Sequence, residues 1–263
     1  MKSNIIATLV LLTSLSPFIM AQNTNEEYQR IDFSDKFAFK TAIEMYEVAE
    51  TKPYGEEAEI LIKRITDKIN QGLAIEHESI WDNLEKLEPY RKHPEIQDAV
   101  RTWVDRCAQK ISGQKTGGTV TLSMLQAASK AYNAREFAKS VQECKSILKN
   151  MPNHCDIRSN MALALLHLNK DLCAQIELEI TLKVCDSHIP AMLNLTVVYE
   201  RLDMRNDAEE MVAVLTLLSN KKHIDIPLAR FNAAWFQFQD GNSHYADTLL
   251  NSPKGRSIRS NTK

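Results

Sequence analysis

One period constrains this chain more than any other feature. Ser140, Ala174 and Ala208 stand 34 residues apart. The same interval relates Ala128, Ala162 and Thr196, then Ala127, Met161 and Leu195, then Cys144, Leu178 and Val212. A 34-residue period carried by helix-compatible residues is the mark of a solenoid of helix–turn–helix units. One unit cannot bury its apolar face alone, so units stack, and the stack presents an extended surface to another molecule.

The chain ahead of the repeat begins with Met1-Lys2 and an apolar run from Ile5 to Met20, interrupted by Thr8, Thr13, Ser14, Ser16 and Pro17. Ile19-Met20-Ala21 then offers a small residue before Gln22. This reads as a secretory signal peptide over 1–21, cleaved after Ala21. The run is short for a span and carries Pro17 near its end, unlike an uncleaved anchor. No cysteine lies near the cut, so a bacterial lipoprotein signal is absent. The mature protein is therefore expected to be exported and soluble, periplasmic or outer-membrane associated, with no integral membrane segment after cleavage.

Cleavage removes one of the 32 basic residues and none of the 34 acidic ones. The near-neutral balance argues against a nucleic-acid partner, which needs a basic face. Seven glycines and eight prolines are few for many strands joined by tight turns, so the mature chain reads as all-α.

Residues 22–34 form a polar leader. Apolar side chains then recur at helical spacing from Asp35 to about Glu50, at Phe39, Ala42, Met45, Tyr46 and Ala49. Pro53-Tyr54-Gly55 breaks that helix. Ala58, Leu61, Ile62, Ile65 and Ile69 mark a second, closed by Gly72, and Ile80, Trp81, Leu84 and Leu87 a third, ended by Pro89. Ile96, Ala99, Val100, Trp103, Val104, Cys107 and Ile111 mark a fourth. The region 35–112 thus reads as two helical hairpins. Gly113, Gly117 and Gly118 then make 113–119 a linker. It is no phosphate loop, because Thr119 stands directly after the last glycine and a helix precedes.

The repeated units run 121–154, 155–188 and 189–222. A fourth starts near Pro227 after a four-residue slip and reaches 252, before a polar tail over 253–263. Small residues at the eighth and twentieth places let two helices approach closely. The pairs Ala127-Ala128, Met161-Ala162, Leu195-Thr196 and Ala233-Ala234, with Tyr199, Gly241, Ala174, Ala208, Ala246 and Pro152, resemble the tetratricopeptide repeat family over about half the chain. Met124, Arg158, Met192 and Arg230 stand where that family places an aromatic residue. The resemblance implies a right-handed superhelical solenoid of antiparallel helix pairs whose first helices line a concave groove for a peptide or partner helix.

In the register of that resemblance, an amide holds the sixth place of every unit: Gln126, Asn160, Asn194 and Asn232. An amide both donates to and accepts from a peptide backbone, so such a row suits an extended ligand. Asparagine there also serves local hydrogen bonds within the family, and that reading stays open. Leu193, Val197, Phe231, Trp235 and Phe238 make the groove apolar toward its C-terminal end. Exposed, they form a binding strip; alternatively, the chain's own segments, such as the tail after Pro253, cover them. The site residues for a peptide or partner are thus Asn160, Asn194, Asn232, Leu193, Val197, Phe231, Trp235 and Phe238.

No nucleophile elbow, triad motif or H-E-x-x-H occurs, and no cofactor is implied. Glu177, Glu179, Glu209 and Glu210 are spaced as solvated helix faces. The function expected is a non-catalytic interaction scaffold or adaptor, the competing class being a small exported enzyme with its site in the N-terminal helical half. Of five cysteines, Cys144 and Cys173 read as packing residues. Cys155 and Cys185, at the two ends of one unit, are the pair expected to approach. They are expected as thiols; a disulfide, or a zinc site with His154 and His188, stays open.

Overall fold

The computed structural model describes residues 52–114 and 121–222, and beyond them 229, 232, 233, 236, 237, 239–242, 244 and 245. The signal, the leader, the helix expected over 35–50, most of the linker and the tail lie outside the described residues. Among the described residues there are nine α-helices and no strand. They are α1 (Glu56–Asn70), α2 (Glu78–Leu87), α3 (Pro94–Ser112), α4 (Leu122–Asn133), α5 (Phe137–Asn150), α6 (Cys155–His167), α7 (Asp171–Val184), α8 (Ile189–Arg201) and α9 (Arg205–Lys222). All but α3 pack mainly against their neighbours in sequence. A 3-10 turn, Glu88–Tyr90, carries the chain past Pro89 out of α2.

The sequence period is also a backbone period. Helices α5, α7 and α9 begin at Phe137, Asp171 and Arg205, and α6 and α8 each have 13 residues. The preceding turns pass through the left-handed region at Arg135 (φ 60°), Asn169 (56°) and Asp203 (59°), with Gly241 (82°) following after the slip. Each turn closes the same way: Glu136, Lys170, Met204 and Asn242 donate their N–H groups to the carbonyls of Ala131, Leu165, Tyr199 and Gln237. This bond from beyond the helix end back into its last turn satisfies a carbonyl that the helix leaves orphaned. A left-handed residue there reverses the chain within three residues, which pairs α4 with α5, α6 with α7, and α8 with α9. Asparagine and aspartate tolerate that conformation better than most side chains.

Small residues let the paired helices touch. Ser140, Ala174 and Ala208 are completely buried, and Ser140 Oγ donates to Ala128 O at 3.1 Å. Cys144, Leu178 and Val212 are buried in the common core.

The N-terminal helices build one further layer. Ala58, Leu61 and Ile65 of α1, Ile80 and Leu84 of α2, and Val100 and Trp103 of α3 join the common core. Trp103 Nε1 donates to Thr66 Oγ1 at 2.9 Å, tying α3 to α1. Among the described residues, the extensive contact between elements distant in sequence is α3 against α7. It corrects the expectation of a solvated acidic face: Glu177 is buried and Glu179 half-buried, whereas Glu209 and Glu210 are exposed as expected. A helix covered on all sides loses its polar stripe, and α7 buries Asp171, Gln175 and Glu177 along with Leu172, Ile176 and Leu178.

Candidate interaction site

Helices α4, α6 and α8 are the first helices of their units, and α8 packs beside α6. Of the residues read as a binding face, Asn160 (4% exposed), Asn194 (6%), Val197 (3%) and Asn232 (3%) are buried. Leu193 is partly buried against Met192, Leu215 and Ala229. Phe231, Trp235 and Phe238 lie outside the described residues. Asn194 Nδ2 donates to Ser159 Oγ at 3.5 Å, linking α8 to α6. Among the described residues Asn232 Nδ2 has no hydrogen-bond partner. The inward places of α6 carry Ser159, Leu163 and Leu166, each at most 1% exposed.

At the turn end of these helices, Tyr132 Oη and His167 Nε2 are 2.9 Å apart, and Phe137 stacks on His167 with centroids 4.2 Å apart. Arg201, at the end of α8, reaches beneath α6. Its Nε meets Asp171 Oδ1 at 2.8 Å and its Nη2 donates to Asn169 Oδ1 at 2.8 Å. Arg91 Nε lies 3.3 Å from the other oxygen of Asp171. One carboxylate thus joins the N-terminal helices to two successive units.

A row of polar contacts continues along α7. Glu88 accepts from the N–H groups of Asp171 at 2.8 Å and Leu172 at 3.1 Å, and so caps a helix whose own N-cap residue, Lys170, supplies no side-chain bond. Burial, and then the nearby charge of Asp171, raise the Glu88 pKa to about 8. Gln175 Nε2 donates to Gln97 Oε1 at 2.7 Å. Arg158, fully buried, pairs with both Glu76 and Glu177 and donates to Pro152 O at 2.7 Å. Burial pushes the Glu177 carboxyl up against the pull of Arg158. Lys145 Nζ sits 3.2 Å from the centre of the Trp81 ring.

Cys155 and Cys185 form a disulfide with Cα atoms 6.5 Å apart. The pair is the expected one, but it is bonded and not left as thiols. The paired ends of α6 and α7 bring it together, and the bond spends both sulfurs that a zinc site would need. His154 and His188 serve as N-caps: their Nδ1 atoms accept from Ile157 N–H at 3.5 Å and Ala191 N–H at 3.1 Å. His188 Nε2 lies 2.9 Å from Asp156 Oδ1. Cys107, Cys144 and Cys173 are buried thiols. Burial raises Cys107 and Cys144 to about 12, which makes them poor nucleophiles. Among the described residues no helix is long and apolar enough to cross a membrane. The disulfide fits an oxidising compartment.

No family model, curated protein or solved structure matches the chain.

The sequence reading missed the ionic hub. One signal was present: Arg158 stands at a buried first-helix place where the repeat family carries an aromatic, so its charge requires partners. Glu76 and Glu88 carried no such signal, because their partners lie 82 and 83 residues away.

Proposed function

We propose that this protein is a non-catalytic interaction scaffold of the cell envelope, built as a tetratricopeptide-like solenoid whose first helices hold a peptide or partner helix. The observation that carries the reading is the recurrence of one turn at Arg135, Asn169, Asp203 and Gly241, which repeats a helical hairpin and sets α8 beside α6. The unspent amide of Asn232 suits a ligand backbone. Preference over an enzyme in the N-terminal half rests on where its polar residues go. Glu76, Glu88, Arg91 and Gln97 are all engaged with α6 or α7.

The test is panning a library of amphipathic helical peptides against the protein. Binders are expected to carry apolar residues at helical spacing and to bind with little salt dependence. Trp235→Ala should weaken them by at least about 2 kcal/mol without lowering Tm. A fall in Tm with unchanged binding would make Trp235 a core residue and remove the proposed strip.

A further inference from the structure

A helix start usually carries Ser, Thr, Asp or Asn, whose oxygen accepts from a free N–H of the first turn. Helices α2, α3, α6 and α8 have histidine there instead: His77, His93, His154 and His188. Three of these rings do the capping. Nδ1 accepts from Ser79 N–H at 3.2 Å in His77, from Ile157 N–H at 3.5 Å in His154, and from Ala191 N–H at 3.1 Å in His188. A nitrogen that accepts carries no proton, so each ring is held as the neutral form with its proton on Nε2. His188 then donates from Nε2 to Asp156 Oδ1 at 2.9 Å.

The three caps meet at the first turn of α6, where four successive residues each carry a link. Cys155 is bonded to Cys185. Asp156 accepts from His188, and Ile157 N–H is capped by His154. Arg158 pairs with Glu177 and with Glu76, the residue before His77. We propose that this junction is an acid-sensitive device: protonation of His77, His154 and His188 releases the first turns of α2, α6 and α8 while the rest of each helix stays folded. A protonated Nδ1 is a donor, so the cap is lost outright, and the imidazolium is left at the positive end of a helix. Histidine gains its charge between about pH 8 and pH 5, so the caps are complete at the alkaline end of that window and lost toward the acid end. The surrounding charges do not restore them. Glu76 and Glu177 are taken by Arg158. Beside His77 stand Glu78 of its own helix and Lys68 of α1, which donates to Ser79 O at 2.8 Å. Asp186, in the turn before His188, faces water. The bond from His188, opposed by burial, and then the charges of His188 and His154 hold the Asp156 carboxyl below its usual range. It stays ionised and serves two rings, so it balances one imidazolium and not both.

The experiment follows the amides of Ser79, Ile157 and Ala191 by NMR in the full, nitrogen-labelled chain from about pH 8 to about pH 5. Protection is expressed against the exchange rate of an unstructured peptide at the same pH. The readout is local because Glu88 moves global stability with pH in the opposite sense. Protection of all three amides is expected to fall at least about fivefold toward acid, in step with the ring nitrogens of His77, His154 and His188. The amides of Leu163 and Thr196, in the middles of α6 and α8, should keep theirs. His154→Asn and His188→Asn retain a cap that cannot titrate and should hold Ile157 and Ala191 level across the window. Constant protection in the unaltered chain would overturn the proposal. So would an equal fall in the asparagine variants, which would place the titration on another group, or a fall shared by the helix middles, which would make the opening global.

Discussion

Helices α7 and α9 occupy the same place in successive units and leave the same left-handed turn, yet they live in different surroundings. In α9, Glu209, Glu210 and Leu217 face water. In α7, Asp171, Gln175 and Glu177 are buried, and each meets a partner from α6, α8 or the N-terminal helices. The backbone of a unit is set locally by its turn and its small residues. Its solvent exposure is set by what docks on it from far along the chain. A carboxylate on a second helix is therefore solvated in one unit and part of an ionic hub in the other.

The largest effect should come from emptying the hub. Arg158→Met leaves Glu177 buried without its cation and should cost about 3–5 kcal/mol in urea unfolding. Glu209→Gln on α9 should stay within about 0.5 kcal/mol. Equal losses at the two sites would erase the contrast.

Next comes the staple confined to the enclosed unit. Cys155→Ser with Cys185→Ser opens a 30-residue loop and should cost about 3–4 kcal/mol in the chain-entropy view. Reduction of the unaltered protein should cost a similar amount, measured the same way.

Overpacking sharpens the comparison further. Ala174→Leu and Ala208→Leu should each cost about 1–3 kcal/mol, with the larger loss at Ala174, where α3 closes the outer side and leaves α7 no room to shift. A larger loss at Ala208 would mean that α7 is not held from outside.

The last effect is in pH. Glu88 titrates near 4.5 in the unfolded chain and at about 8 in the fold. The folded state holds a proton that the unfolded state has released, so this stabilisation is complete below about 4.5 and is lost as pH rises through about 8. Tm should decline over that window and decline less in Glu88→Gln. An unchanged slope in the variant would show that Glu88 does not carry the effect.

Much of the fold was legible because it is local. Alanine and serine at a fixed interval announce close helix contacts, and the apolar stripes of α1 to α3 appear in the sequence at helical spacing. The cysteine pair could be chosen, since both ends of a hairpin meet; its bonded state could not, because spacing does not report redox state. The N-terminal docking was not legible. Glu177 and Glu209 each stand on a second helix among similar neighbours, and only contacts with Glu76, Glu88, Arg91 and Gln97 distinguish their surroundings. Of the binding face, residue identities could be read from register, but burial of Asn160, Asn194 and Val197 depends on what covers them.

The most direct test of the account is hydrogen exchange followed separately over α7 and α9 in the intact protein. Exchange through local opening reports how firmly each helix is held. The account predicts that α7 exchanges far more slowly than α9, and that Arg91→Ala accelerates α3 and α7 together while leaving α9 unchanged. Equal protection of the two helices, or an Arg91→Ala variant in which α7 keeps its protection, would contradict the claim that the N-terminal helices enclose the second unit.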